Sequence, residues 1–169
     1  MDVMDAILGR RSIRKYTTQA VPAGLIEEFL KAAMYAPSAG NERPWHFIVL
    51  SERAVLDGIQ KFHPHSAMLR TAPCAVLICA DLNLEKHIGY WVQDCSAATQ
   101  NLLLAAHGKG VGSVWCGVYP QEDRVEGFRK LLNVPDHVMP FSLVPLGYSE
   151  ERASQPERFD AARIHRDQW

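Results

Sequence analysis

A chain of 169 residues is long enough for one domain with a real core, and 47% apolar with 22% charged residues is ordinary globular composition that argues against disorder. Eighteen lysines and arginines against nineteen acids leave a formal net charge of -1, which excludes a global electrostatic pull towards nucleic acid or an anionic membrane. Any anion site has to be local, and the one dense basic patch is residues 9–16, GRRSIRKY.

Val3, Ile7 and Leu8 at helical spacing predict a short helix stopped by Gly9, so the basic cluster follows a helix end. Pro22 suits a first turn, and Leu25, Ile26, Phe29, Leu30 and Ala33 share one face of a second helix that ends before Pro37. Residues 45–50 (WHFIVL) read as a strand, 52–62 as a short helix, and 74–82 (CAVLICADL) as a strand buried on both faces. A long Ala/Leu-rich helix follows over 88–107, closed by GKGVG. Then come a strand over 113–118, a helix over 122–133, a strand over 141–148 and a polar tail over 149–169. The interleaving predicts a single α/β or α+β sandwich over 1–169 with about four core strands. Small residues at Ser96, Ala97, Ala98, Ala105 and Ala106 would let another helix come close, within the subunit or across a subunit interface.

No apolar run approaches the roughly 20 residues that span a bilayer, and the opening MDVMDAILGRRS has acids where a signal peptide has bases, so a cytoplasmic protein is expected. Cys74, Cys79, Cys95 and Cys116 form no CxxC pair and sit in apolar surroundings, as buried thiols do. The histidines form no HExxH-like set, and no metal site is expected.

Three stretches could carry chemistry. If the basic cluster is extended, Arg10, Ser12 and Arg14 point one way and Arg11, Ile13 and Lys15 the other; two guanidinium forks flanking a hydroxyl suit a phosphate, and a solvated basic turn is the bland alternative. The stretch APSAGNERPWHFIVL leaves a helix at Pro37 and enters a strand at Trp45. Its Ser38, Ala39 and Gly40 let a planar ligand approach the main chain, and Asn41 offers an amide to a heterocycle edge, unless this is an ordinary turn. GVGSVWCGVYP is Gly-rich but lies between a helix and a strand, the wrong order for a Rossmann or P-loop fingerprint. No nucleophile–base pair and no acid–base pair of carboxyls stands out, as in an enzyme whose cofactor does the hard chemistry.

Taken together, RRSIRKY, VPAGLIEEFLKAAMYAPSAGNERPWHFIVL, WVQDCSAATQNLLLAAHGKGVGSVWCGVYP, VPLGYSEE and RFDAARIHRDQW resemble the FMN-dependent nitroreductase family, in its shorter members, over essentially the whole chain. The resemblance implies an α+β three-layer sandwich around a mixed sheet, in an intertwined homodimer with FMN at the subunit interface. It implies that Arg10, Arg11, Ser12 and Arg14 hold the FMN phosphate and ribityl chain, that Pro37, Ser38, Ala39 and Asn41 of the other subunit meet the ring, that Trp115, Cys116 and Gly117 pass the flavin near N5, and that Arg158 reaches the phosphate. It further implies ping-pong hydride transfer from NADH or NADPH through flavin N5 to a small electron-poor acceptor such as a nitroaromatic or quinone. A non-enzymatic FMN-binding or sensor protein is the alternative. The chain departs from the family's common pattern at three places: Arg43 where many relatives have Gln, the pair Gln155 and Pro156 ahead of Arg158 where many have a base, and Ala67 where some have a lysine beside the flavin.

Overall fold

The computed structural model describes residues 1–151 and 154–169. Along the chain run α1 (Val3–Gly9), α2 (Ala23–Met34), β1 (Trp45–Leu50), α3 (Arg53–Ile59), β2 (Cys74–Asp81), α4 (Trp91–Gly108), β3 (Gly112–Ser113), β4 (Cys116–Gly117), α5 (Glu122–Leu132) and β5 (Val138–Gly147). The helix expected from residue 88 starts three residues later, at Trp91, and Ile88 is left almost wholly exposed.

β2 is buried from Cys74 to Ala80, and its alternation divides the core in two. Val76 and Ile78 face one cluster with Phe29 and Ala33 of α2 and Ala98 and Leu102 of α4. Ala75, Leu77 and Cys79 face a second with Leu56 and Ile59 of α3 and Phe128 of α5. The result is helix, sheet, helix, the three-layer α+β sandwich implied by the resemblance. Ala98 and Ala106 of α4 are fully buried in the first cluster, and Asn101 Nδ2 donates to Ala32 O of α2 at 3.1 Å, so much of the small-residue stripe serves packing inside the subunit.

The strand order is β1-β2-β5-β3, with β4 also on β5, and these ladders are antiparallel. A parallel bridge between Ser12 and Ser113 makes the sheet mixed. The single strand expected over 113–118 is two short pieces on one edge of β5. Gly112–Ser113 pair with Gly147 and Leu146, and Cys116–Gly117 with Leu143 and Ser142. Pro145 stands opposite the break with no N–H to give to a ladder. Pro140 lies at the irregularity where β5 loses register with β2 between Ile78 and Cys79. No helix among the described residues is long and apolar enough to cross a membrane.

Candidate functional site

The basic cluster is held against the sheet edge. Ile13 N–H donates to Ser113 O at 2.9 Å, and the buried Tyr16 hydroxyl donates to Ile13 O at 2.7 Å and Pro145 O at 3.3 Å. Close approach requires a missing side chain: a Cβ on Gly112 would lie 2.8 Å from Ile13 Cγ2 and 3.1 Å from Gly147 O. The expected alternation holds for Arg11 and Ile13, which line one cavity. It fails for Arg10 and Arg14, which line different ones: Arg10 caps α1, its N–H on Ala6 O, although its own backbone is already extended at φ -57° and ψ 130°.

Arg10 and Arg11 share a cavity of about 550 Å³ with Gln155, Pro156, Glu157 and Arg158 of the tail. Burial first, then the guanidiniums of Arg11 and Arg158, pull Arg10 below its ordinary pKa. Arg11 is already engaged, donating to Leu8 O, Arg10 O and Ser154 O at 2.8, 2.6 and 3.0 Å, which ties the end of α1 to the tail. Glu157 lines the same cavity, yet its Oε1 accepts the N–H groups of Arg158 and Phe159. Arg10 and Arg158 remain as the donors for a ligand.

Arg14 opens onto a second cavity, of about 300 Å³, floored by Trp115, Cys116 and Gly117. Cys116 is buried and its thiol is pushed up to about 11, burial outweighing Arg14 and Arg124, so it stays protonated at neutral pH and is a poor nucleophile. Gly117 O accepts from Arg124 Nη1 at 2.8 Å and lies 3.0 Å from His63 Nε2. Arg124 Nε and His63 Nδ1 are buried without a partner among the described residues, and leaving such a group unpaired costs about 1–3 kcal/mol.

The loop after α2 lies elsewhere. Gly40, Asn41 and Arg43 are all in the left-handed region, at φ 51°, 54° and 47°. Ser38 Oγ accepts from Arg43 N–H and Asp94 Oδ1 from Ala39 N–H, both at 3.0 Å. Pro37 and Asn41 are exposed. Glu42, inside this loop, is buried and its Oε2 accepts from Lys86 N–H at 2.7 Å and His87 N–H at 3.0 Å. Glu42 Oε1 and Asp94 Oδ2 are both buried with no partner among the described residues, and the two carboxyls shift each other in opposite directions. Burial, against the bond from Ala39, and then Glu42 raise Asp94, while the bonds from Lys86 and His87 outweigh burial and lower Glu42. Asp94 marks the loop's end of α4. His107 marks the other end, where a Cβ on Gly9 would meet its Nε2 at 3.1 Å. Gln100 of α4, six residues or about 9 Å of helix from Asp94, lines the arginine cavity, and none of Pro37, Ser38, Ala39 and Asn41 lines it.

The chain matches the Nitroreductase family over residues 7–68 and 63–148. It belongs to that family. It is 56% identical over 169 residues to a Methanothermobacter thermautotrophicus protein named, provisionally, NADH dehydrogenase/NAD(P)H nitroreductase, covering 100% of this chain and 88% of the relative. It is 30% identical to a Thermus thermophilus protein named NADH dehydrogenase, covering 97% and 95%. Among solved structures, an FMN-dependent nitroreductase of Clostridium difficile superposes with a TM-score of 0.91 at 28% identity, covering 98% and 99%. For a nitroreductase family member, Arg124, His65 and the Glu42–Asp94 pair were the residues that sequence reasoning passed over. Asp94 had a signal: it falls at helical spacing on the buried face of α4, between Trp91 and Ala98, where a carboxyl needs a partner. Arg124 had none, since it directly follows two exposed acids, Glu122 and Asp123.

Proposed function

We infer that the protein is an NAD(P)H-dependent flavin oxidoreductase that holds FMN across a homodimer interface and passes a hydride from NADH or NADPH to an electron-poor acceptor, a nitroaromatic or a quinone, in alternating half-reactions. The observation that carries the reading is the convergence of Arg10, Arg11 and Arg158 on one cavity whose only acid is spent on backbone N–H groups. Such a cavity suits a dianion, and the FMN phosphate is one. Arg10 and Arg158 would hold it, with the Ser12 hydroxyl beside them and Arg14 facing the ring edge along Trp115, Cys116 and Gly117. When bound, FMN supplies the hydride chemistry. The residues of this chain bind, orient and keep Cys116 neutral.

The loop of Pro37, Ser38, Ala39 and Asn41 would reach the ring of the FMN held by the other subunit, which agrees with its absence from the lining of the arginine cavity in its own subunit. Surface area supports the dimer. One subunit exposes 10093 Å², about a fifth more than a compact monomer of this mass. Tyr35, Ile88, Phe159 and Trp169 are 79%, 94%, 74% and 101% exposed, a concentration of large apolar groups that a second subunit would cover.

The test is made on the purified protein under nitrogen. It should be yellow, bleach on addition of NADH or NADPH, and recover colour with a nitroaromatic or quinone. FMN that neither nicotinamide reduces would favour the storage or sensor reading, and a colourless monomer that takes up no FMN would defeat both.

A further inference from the structure

We propose that Asp94 and Glu42 share one proton between their free oxygens, Asp94 Oδ2 and Glu42 Oε1, and that this proton latches the loop over residues 38–42 to α4, making the two acids positioning residues for the loop. The proposal rests on the flavin reading only where the ligand that the loop meets is called FMN.

Both side chains are buried, Asp94 at 4% exposure and Glu42 at 6%. Each has one oxygen engaged by the backbone: Asp94 Oδ1 accepts the Ala39 N–H, and Glu42 Oε2 accepts those of Lys86 and His87. The other two oxygens are buried and take no donor among the described residues, although the carboxyls stand within hydrogen-bond reach of each other. An ionised carboxyl only accepts, so two carboxylates here would leave both oxygens unpaired and set like charges together out of water. One proton removes both penalties, because a protonated carboxyl donates to its neighbour.

The surroundings place that proton on Asp94. Burial first, then Glu42 and Glu85, raise Asp94 against the bond from Ala39, while the N–H groups of Lys86 and His87, with the charge of the His87 ring, lower Glu42 against its burial. Arg43 and Lys86, the other charges beside the pair, are exposed, and the neighbouring Cys95 of α4 stays protonated because burial pushes its thiol up.

The latch holds a backbone that the residues would not adopt unaided. Gly40, Asn41 and Arg43 have positive φ, which in Asn and Arg persists where the surroundings enforce it. The pins are Ser38 Oγ on the Arg43 N–H, Asp94 on the Ala39 N–H, and the buried Glu42 on the segment that leads into α4. Two of them pass through the acid pair. As pH rises through the raised Asp94 value the proton leaves, two buried anions face each other, and the loop is released.

The experiment takes the purified full-length protein with FMN from about pH 4 to pH 9. Hydrogen exchange, corrected for its intrinsic pH dependence, reads the Ala39, Lys86 and His87 amides; infrared spectra read protonated carboxyls; fluorescence reads FMN. In wild type, protection of the three amides should fall about ten-fold or more in one transition as pH rises, a buried carboxylic acid band should vanish at the same midpoint, and FMN should bind more weakly above it. Asp94→Asn and Glu42→Gln each put a permanent donor between the side chains, so either should lack the band and keep its protection flat with pH; where one fails to fold, the other decides. His87→Gln should keep the transition. Wild-type protection without a transition, a transition unchanged in a folded Asp94→Asn or Glu42→Gln, or its loss in His87→Gln would overturn the latch. Protection lost at every pH in the folded amide variants would overturn it too, since the acids would then serve only as backbone acceptors. A transition in wild-type protein that takes up no FMN keeps the latch and defeats the flavin reading; FMN bound and reduced by a nicotinamide, with no transition, does the reverse.

Discussion

Arg10 and Arg11 are adjacent, equally charged, and set to different work. Arg11 spends its guanidinium on three carbonyls, so Arg11→Ala should loosen the contact between α1 and the tail, lowering stability by about 1–2 kcal/mol in denaturant melts. Arg10→Ala should instead weaken FMN retention roughly 10- to 100-fold, as expected for one lost charge-assisted contact, with little change in Tm. Arg14→Ala should weaken it more than Lys15→Ala, since Arg14 faces a cavity and Lys15 faces solvent. Fluorescence titration of FMN reads the last three, and equal losses at Arg14 and Lys15 would remove Arg14 from the site. A second pair of residues sets a pH dependence. Asp94 has its pKa raised in the folded protein, so its contribution to stability is complete below the ordinary aspartate range and is lost as pH rises through the raised value. Glu42 is lowered and acts in the opposite direction, its contribution lost as pH falls through its depressed value. Asp94→Asn keeps an acceptor for Ala39 and gains a permanent donor for Glu42. Urea melts should therefore show the variant less sensitive than wild type to rising pH above the carboxylate range, and Asp94→Ala about 1–3 kcal/mol less stable throughout.

Among the elements, those that announce themselves by period were legible. The apolar stripes of α2 and α4 and the unbroken run of β2 follow from burial on one face or two, and burial is what composition records. What the sequence hid was what depends on a partner distant in the chain. The break between β3 and β4 is opposite Pro145, some thirty residues on, and a window over 113–118 does not contain it. Alternation failed at Arg10 for a related reason: its N–H is held by Ala6 O at the end of α1, and it shares its cavity with tail residues nearly 150 positions away. The third candidate, GVGSVWCGVYP, runs from α4 into β3, the order that set it apart from Rossmann and P-loop fingerprints, and its Gly112 has a packing explanation. Gly112→Ala would drive a Cβ into Ile13 and the carbonyl of Gly147, displacing the basic segment. A loss of about 1–3 kcal/mol and weaker FMN binding should appear together, by thermal melt and titration of the same sample.

At the scale of the whole molecule, the candidate residues sort into an arginine cavity, a β4 cavity and a loop at the far end of α4. Truncation before residue 158 removes Arg158 and the exposed Phe159, Ile164 and Trp169 in one step. If the tail serves both the phosphate and the second subunit, sedimentation should show dimer falling towards monomer and bound flavin falling with it. The separation of the loop from the arginine cavity has a genetic consequence. Where each site takes its arginines from one chain and its loop from the other, Arg10→Ala and Asn41→Ala are defects on different sides of the same site. Subunits carrying one defect each, exchanged at equal amounts, would place both lesions in one site of every hybrid dimer and leave the other site whole, restoring about a quarter of the sites in the mixture. Two inactive proteins would complement each other in one tube.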